Sequence, residues 1–215
     1  MKNICIGLFE GETLPESLAA FKDVKLDLEF GKVTTIYTLH QLDCEKVVVV
    51  GLGDGKKNIK EAFSKVEADD YLVYVTENTA YAAGFGLVYG AYSYKETKVY
   101  DLESDGFKDE FEKGKTVARI VNHAREMSDM PANFLTPDHL VDEAKMVAEK
   151  YDMEIEVLAQ DDLEEIGAGA LLAVNQGSDR PCFMVVRKTK TIQLLLVRVL
   201  HMMREATISS PICMV

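Results

Sequence analysis

The segment GLGDGKK, Gly51 to Lys57, has the plainest chemical reading in this chain. It follows an apolar run and precedes a helical one, the setting in which a glycine turn offers backbone N–H groups to a phosphate. It is neither GxGxxG nor GxxxxGK[ST], so a nucleotide fingerprint is missing, and a glycine turn leaving a buried strand is the simpler reading. The histidines are His40, His123, His139 and His201. His123 and Glu126 share a helix face, but no HExxH and no second pair completes a metal set. His139 falls in the first turn of a helix, at the surface. Cys5, Cys44, Cys182 and Cys213 form no CxxC pair, which fits reduced, buried thiols in a cytoplasmic protein better than a disulfide frame or a zinc site. No GxSxG elbow is present and no cysteine has a nucleophile's setting. Residue chemistry alone therefore assigns no catalytic, metal or cofactor-binding residue.

The elements that would position such groups are those of an α/β layer structure. NICIGLF, VTTIYTL, KVVVVGL and YLVYV are short β-branched or aromatic runs bounded by polar or glycine-containing segments, as strands are. KVVVVGL is apolar without a break, as a strand covered on both faces must be. ESLAAF, KKNIKEAFSKVEA and TAYAAGFGLVYGAYSY read as helical stretches between and after them. VYDLESDGFKDEFEKGK is acidic and reads as the exit from this first domain. Beyond it Val117, Ile120, Val121, Ala124 and Met127 form one apolar helical stripe, ended at Met130-Pro131. In the next helix Thr136 is the cap, Pro137 and Asp138 suit the first turn, and Leu140, Val141, Ala144, Val147 and Ala148 are the apolar face. MEIEVL and CFMVV read as strands and DDLEEI as a short capped helical turn.

Hydrophobic residues make up 47% of the 215, enough for a core, and the formal charge is -12 with a pI near 4.8. That balance argues against nucleic acid, whose phosphates need clustered Lys and Arg. MKNICIGLFEGE is apolar for too few residues to be a signal peptide. From Lys188 onward there are four basic residues and one acid, and all 14 glycines lie at or before Gly177, so composition breaks near Lys188. The apolar run Ile192 to Met203 holds about twelve residues, against roughly 20 for a membrane span, and Gln193, Arg198 and His201 interrupt it. As an amphipathic partner helix it lacks a clean polar face.

One long stretch goes further. From Val121 to Arg187 the chain carries PANFLTP at Pro131 to Pro137 and GAGALLAVNQGSDRP at Gly167 to Pro181. These segments, in this order, resemble the leucyl (cytosol) aminopeptidase family, and the resemblance extends more loosely back through KVVVVGLGDGKK. It implies a macro-domain-like N-terminal domain with a mixed sheet flanked by helices over 1–105, a linker helix over 106–130, and an incomplete second α/β unit over 131–187, the start of a catalytic domain. The family implied is a cytoplasmic, homohexameric exopeptidase in which two divalent ions, zinc or manganese, act on peptide substrates. Its ligands and catalytic residues follow the strand that CFMVV matches, so none is placed on a residue here. The alternatives are a stand-alone macro-like module for a nucleotide or ADP-ribose, near Gly51 to Gly55, and a non-catalytic assembly subunit.

The resemblance also accounts for the tail. The family continues into LVGKGVTYD[ST]GGYS[IL]KP, whereas this chain reads LLLVRVLHMMREATISSP. In the neighbouring frame each shifted codon takes the third base of one residue and the first two of the next. From the junction of Leu194 and Leu195, permitted codons spell Leu, Val, Gly, Lys, Gly, Val, Thr, Tyr, Asp. The Asp is obligatory, because the Met202 codon ends in G and the Met203 codon begins AT. The register then allows Gly, Gly, Tyr and later Lys-Pro, and departs after the Asp, where neither Ser nor Thr is possible. Residues 188–215 are therefore expected to be an out-of-frame tail, the chain to be a truncated homologue without metal ligands or peptidase activity, and the last strand to present an uncovered apolar edge.

Overall fold

A computed structural model describes residues 2–94, 100–131, 133–175, 182–188 and 191–199. It divides into two compact units, Met1–Asp129 and Met130–Val215. In the first, β1 (Asn3–Leu8), β2 (Val33–Tyr37), β3 (Lys46–Gly51), β4 (Tyr71–Tyr74) and β5 (Leu102–Ser104) form one sheet in the order β2-β3-β1-β4-β5. β2 runs antiparallel to β3, and the other pairings are parallel. The sheet is thus mixed, as expected.

Period-two geometry explains why KVVVVG is apolar throughout. Val48 and Val50 enter one core layer with Cys5, Tyr71 and Val73 beneath the helices, and Val47 and Val49 enter the other with Ile6, Leu8, Leu18 and Phe21. The second layer is closed by a 3-10 turn, Glu16–Phe21, where the sequence suggests a helix. The first is closed by α1 (Ile59–Phe63), α2 (Ala80–Gly90) and α3 (Lys108–Asp129).

Two expectations are corrected in this unit. LES, within the acidic exit segment, is the edge strand β5, paired with β4 and tied to the N-terminal residues by Lys2 Nζ at 2.8 Å from Asp101 and 2.6 Å from Glu103. The helix expected over 106–130 is α3, which packs on α2 along an extensive seam. Its buried face is Phe111, Gly114, Lys115, Ala118 and Asn122, whereas Ile120 of the expected stripe is 64% exposed. Close approach decides this. A Cβ on Gly114 would meet the Tyr81 carbonyl and stand 2.9 Å from Phe85 N, and a Cβ on Gly84 would meet the Phe111 carbonyl. Small residues let the two backbones touch, and burial follows the contact rather than residue hydropathy.

The second unit holds α4 (Pro137–Lys150), β6 (Glu154–Leu158), α5 (Gln160–Glu165), α6 (Gly169–Val174), β7 (Cys182–Lys188) and β8 (Thr191–Val199). Its sheet is antiparallel, in the order β6-β7-β8. Val141 and Met184 form its small core with Leu140, Ala144, Ile155 and Val157 packed alongside, whereas Val147, expected on the apolar face, is 44% exposed. Asp162 accepts the Ala159 N–H at 2.9 Å, the reach-back that starts α5. β8 pairs along β7 from Val199 opposite Cys182 to Thr191 opposite Lys188, so the margin of the sheet passes from β7 to β8. Ladder bonds use only backbone groups, so a β-branched apolar run satisfies them whatever its side chains were selected for. Among the described residues no helix is long and apolar enough to cross a membrane.

Candidate functional site

The glycine turn after β3 is filled from within. Gly51 N donates to Lys32 O at 2.8 Å, Leu52 N to Leu8 O at 2.8 Å and Gly53 N to Leu28 O at 3.1 Å. Gly53 and Gly55 have φ of 65° and 77°, values that glycine adopts without strain. A Cβ on Gly53 would meet Phe30, and one on Gly51 the backbone of Leu28 and Glu29. The amides of Gly51, Leu52 and Gly53 are thus spent on the chain itself. Beyond them Asp54 accepts from Lys56 Nζ at 2.7 Å, a hydrogen bond that holds its carboxyl below the usual aspartate range. α1 then starts on an Asn58 cap.

The PANFLTP segment works as a helix start. Phe134 N and Leu135 N both donate to Pro131 O, at 2.8 and 3.1 Å. The Thr136 hydroxyl stands 2.8 Å from His139 Nδ1 and accepts the His139 N–H, and Thr136 N donates back to His139 Nδ1 at 3.5 Å, which completes a capping box. His139 is exposed in that first turn, as its position implies, and is engaged in the cap. Gly167, with φ of 70°, leads from α5 into α6, a helix without a fully buried residue. Residues 176–181 of the second motif lie outside the described residues.

His40 lies in the turn between β2 and β3, exposed, with φ of 68°. Cys5 is completely buried, which pushes its thiol up to about 12, and Cys44 is buried at the edge of the second core layer. His201 and Cys213 lie outside the described residues, as does the side chain of Cys182. His123 and Glu126 share a face of α3 as their spacing requires, and they line a cleft of about 270 Å3 in the first unit.

Three walls enclose that cleft. Val88, Ala91 and Tyr92 at the end of α2 form one wall, Tyr100 and Leu102 a second, and α3 the third, with Lys115, Arg119 and Asn122. Its walls are pinned. Lys115 Nζ donates to Leu102 O at 2.8 Å and to Glu112 at 2.7 Å, and Asn122 Nδ2 donates to Val88 O at 2.8 Å. The Arg125 guanidinium lies 4.4 Å from the Tyr89 ring and 4.2 Å from the Tyr92 ring. Tyr92 donates to Asp129 at 2.6 Å; partial burial and that carboxylate push its phenol up to about 12. Sequence reading missed Tyr92, Tyr100, Lys115 and Arg119, because no spacing rule joins α2, β5 and α3. Among the described residues no three His, Cys, Asp or Glu side chains gather as metal ligands, so the two-metal set the resemblance implies does not fit them.

This architecture defines a class. It resembles the bottromycin maturation enzyme BotP in complex with Mn, with a TM-score of 0.68 and 20% identity over 86% of this chain and 44% of that one. It also resembles a mutant of tomato leucine aminopeptidase, with a TM-score of 0.67 and 19% identity over 86% and 47%. Both likenesses establish the α/β fold. In sequence, residues 122–194 match the family model described as "Cytosol aminopeptidase family, catalytic domain". A probable cytosol aminopeptidase of Exiguobacterium sibiricum is 40% identical over 116 residues, 51% of this chain and 24% of that protein. One of Aromatoleum aromaticum is 24% identical over 87% of this chain and 48% of its own length. Over residues 122–194 the chain is thus similar to the catalytic domain of the cytosol aminopeptidase family, and it spans less than half the length of these relatives.

Proposed function

We propose that this chain carries the macro-like first domain, joining helix and opening of the catalytic domain of a cytoplasmic leucyl aminopeptidase, and that its residues beyond 194 are read out of frame. The observation that carries this reading is a coincidence of two boundaries. The match to the catalytic-domain model ends at residue 194, and permitted codons in the neighbouring frame can spell LVGKGVTYD from the junction of Leu194 and Leu195. In that reading the gene's full product is a homohexameric enzyme that hydrolyses N-terminal residues from peptides with two divalent ions, zinc or manganese. The manganese in the BotP structure agrees with such chemistry. In the chain's own frame, 195–215 contain neither Asp nor Lys, so the Lys of VGKG and the Asp of VTYD have no counterpart, and the 215-residue chain is inactive. Without those ligands neither the nucleophilic water nor the polarised carbonyl is available.

Two measurements test the reading. Resequencing the coding DNA from the Val186 codon onward should place VGKGVTYD in frame after a single-base correction. The 215 residues, assayed on leucyl-p-nitroanilide with added manganese or zinc, should give no turnover above a blank, while the corrected gene product should give it. Turnover by the 215-residue chain would sink the proposal.

A further inference from the structure

We infer that the cleft between α2, β5 and α3 is a binding site for a small zwitterion with an apolar body, the chemistry of a free apolar amino acid. The inference does not rest on the peptidase reading, because every lining residue belongs to the first unit. Size is the first argument. At roughly 30 Å3 for each water-sized volume, the cleft of about 270 Å3 holds about nine, below the drug-sized range and near the heavy-atom count of leucine.

Charge placement is the second. One side is apolar, with Val88, Tyr100 and Leu102; along α3 the other presents Arg119 and, seven residues on, Glu126. Seven residues put the two on the same helix face, about 10 Å apart at the backbone, and both side chains are long enough to converge. Among the described residues neither has an ion-pair or hydrogen-bond partner, although this chain pairs Lys2, Lys46 and Lys56 with carboxylates. An unpaired guanidinium fork at a cleft mouth suits a carboxylate, and an unpaired carboxylate suits an ammonium.

Rigidity is the third. Tyr92 is held by Arg125 and Asp129, and Asn122 by Val88 O, so the walls need little ordering when a ligand enters.

The test is isothermal titration of the full chain with L-leucine, 3-methylbutylamine and 4-methylpentanoate. The amine lacks the carboxylate and the acid lacks the ammonium. The expected result is saturable binding of leucine with a Kd of about 1 mM or tighter, at least about tenfold tighter than either half-ligand. Arg119→Ala and Glu126→Gln, both on the helix surface, should each weaken leucine binding about tenfold or more while leaving the circular dichroism spectrum unchanged. Val88→Trp, which fills the apolar side, should abolish it. Absence of saturation up to about 10 mM leucine would overturn the inference. So would leucine binding that is indifferent to both Arg119→Ala and Glu126→Gln, since the ligand would then sit elsewhere.

Discussion

Gly114→Ala should destabilise the first unit, against the ordinary expectation for a glycine inside a helix. Replacing Gly by Ala in a helix interior normally gains about 1 kcal/mol. Here the added Cβ would press on the Tyr81 carbonyl and stand 2.9 Å from Phe85 N and 3.1 Å from Tyr81 C. All three atoms are backbone of α2, so no side chain can rotate away and the helices must part. Overpacking of this kind costs about 1–3 kcal/mol. Parting them also stretches the bonds that tie the seam together, Asn122 Nδ2 to Val88 O at 2.8 Å and Arg125 to Tyr89 O at 3.0 Å, each worth about 1 kcal/mol. The net effect is a loss of about 1–3 kcal/mol. Gly106→Ala is the control. Nothing lies within 4 Å of a Cβ there and its φ is not positive, so the change should be neutral or stabilise by up to about 1 kcal/mol. The chain has no tryptophan, so urea unfolding is best followed by far-ultraviolet circular dichroism, with amide hydrogen exchange locating the loss in α2 and α3. A Gly114→Ala protein as stable as the parent would refute the close-packing account of the seam.

Two further outcomes are expected. Asp69 is partly buried, which would raise its carboxyl, but Lys46 Nζ at 2.8 Å and Asn3 Nδ2 at 3.0 Å outweigh this and hold it below the usual aspartate range. Its stabilisation is therefore complete above the unfolded aspartate value, about 3.9, and drains as pH falls through the lower folded value. The urea midpoint of Asp69→Asn should lie below the parent's at about pH 7, and the gap should narrow as pH falls below the unfolded value of about 3.9; a gap independent of pH would contradict the pairing. Cys5 is 0% exposed with its thiol pushed up to about 12. Cys5→Ser should leave the thiols that react with Ellman's reagent in the native protein unchanged and remove one from the unfolded total, and a drop in the native count would show that Cys5 is open to solvent.

Much of this fold is legible in the residues alone. The four strands NICIGLF, VTTIYTL, KVVVVGL and YLVYV announce themselves because strand residues alternate between two apolar layers, and α4 because Thr136, Pro137 and Asp138 satisfy a helix start locally. Signals of that kind are carried by neighbours in sequence. β5 escaped because LES has no apolar run of its own; Leu102 alone enters the core, and the strand exists by pairing with β4. The acidic residues on this edge strand are what a sheet margin tolerates and a centre does not.

Two ordered motifs in the sequence were enough to point to the family, and periodicities of two and 3.6 were enough for the α/β alternation. The neighbouring-frame reading of the tail also comes from the sequence, since it is a matter of codons and not of folding. The buried face of α3 had to wait for tertiary packing. There Gly114 and Ala118, with little hydrophobicity, are buried because α2 approaches to backbone contact, while Ile120 of the more apolar stripe is left outside. The cleft belongs to the same category. Val88, Leu102, Arg119 and Glu126 come from α2, β5 and α3, and no local rule relates them. They meet because β5 pairs with β4 and α3 then crosses back over the sheet onto α2, a packing free energy that depends on the whole unit and is encoded in no short window of the chain.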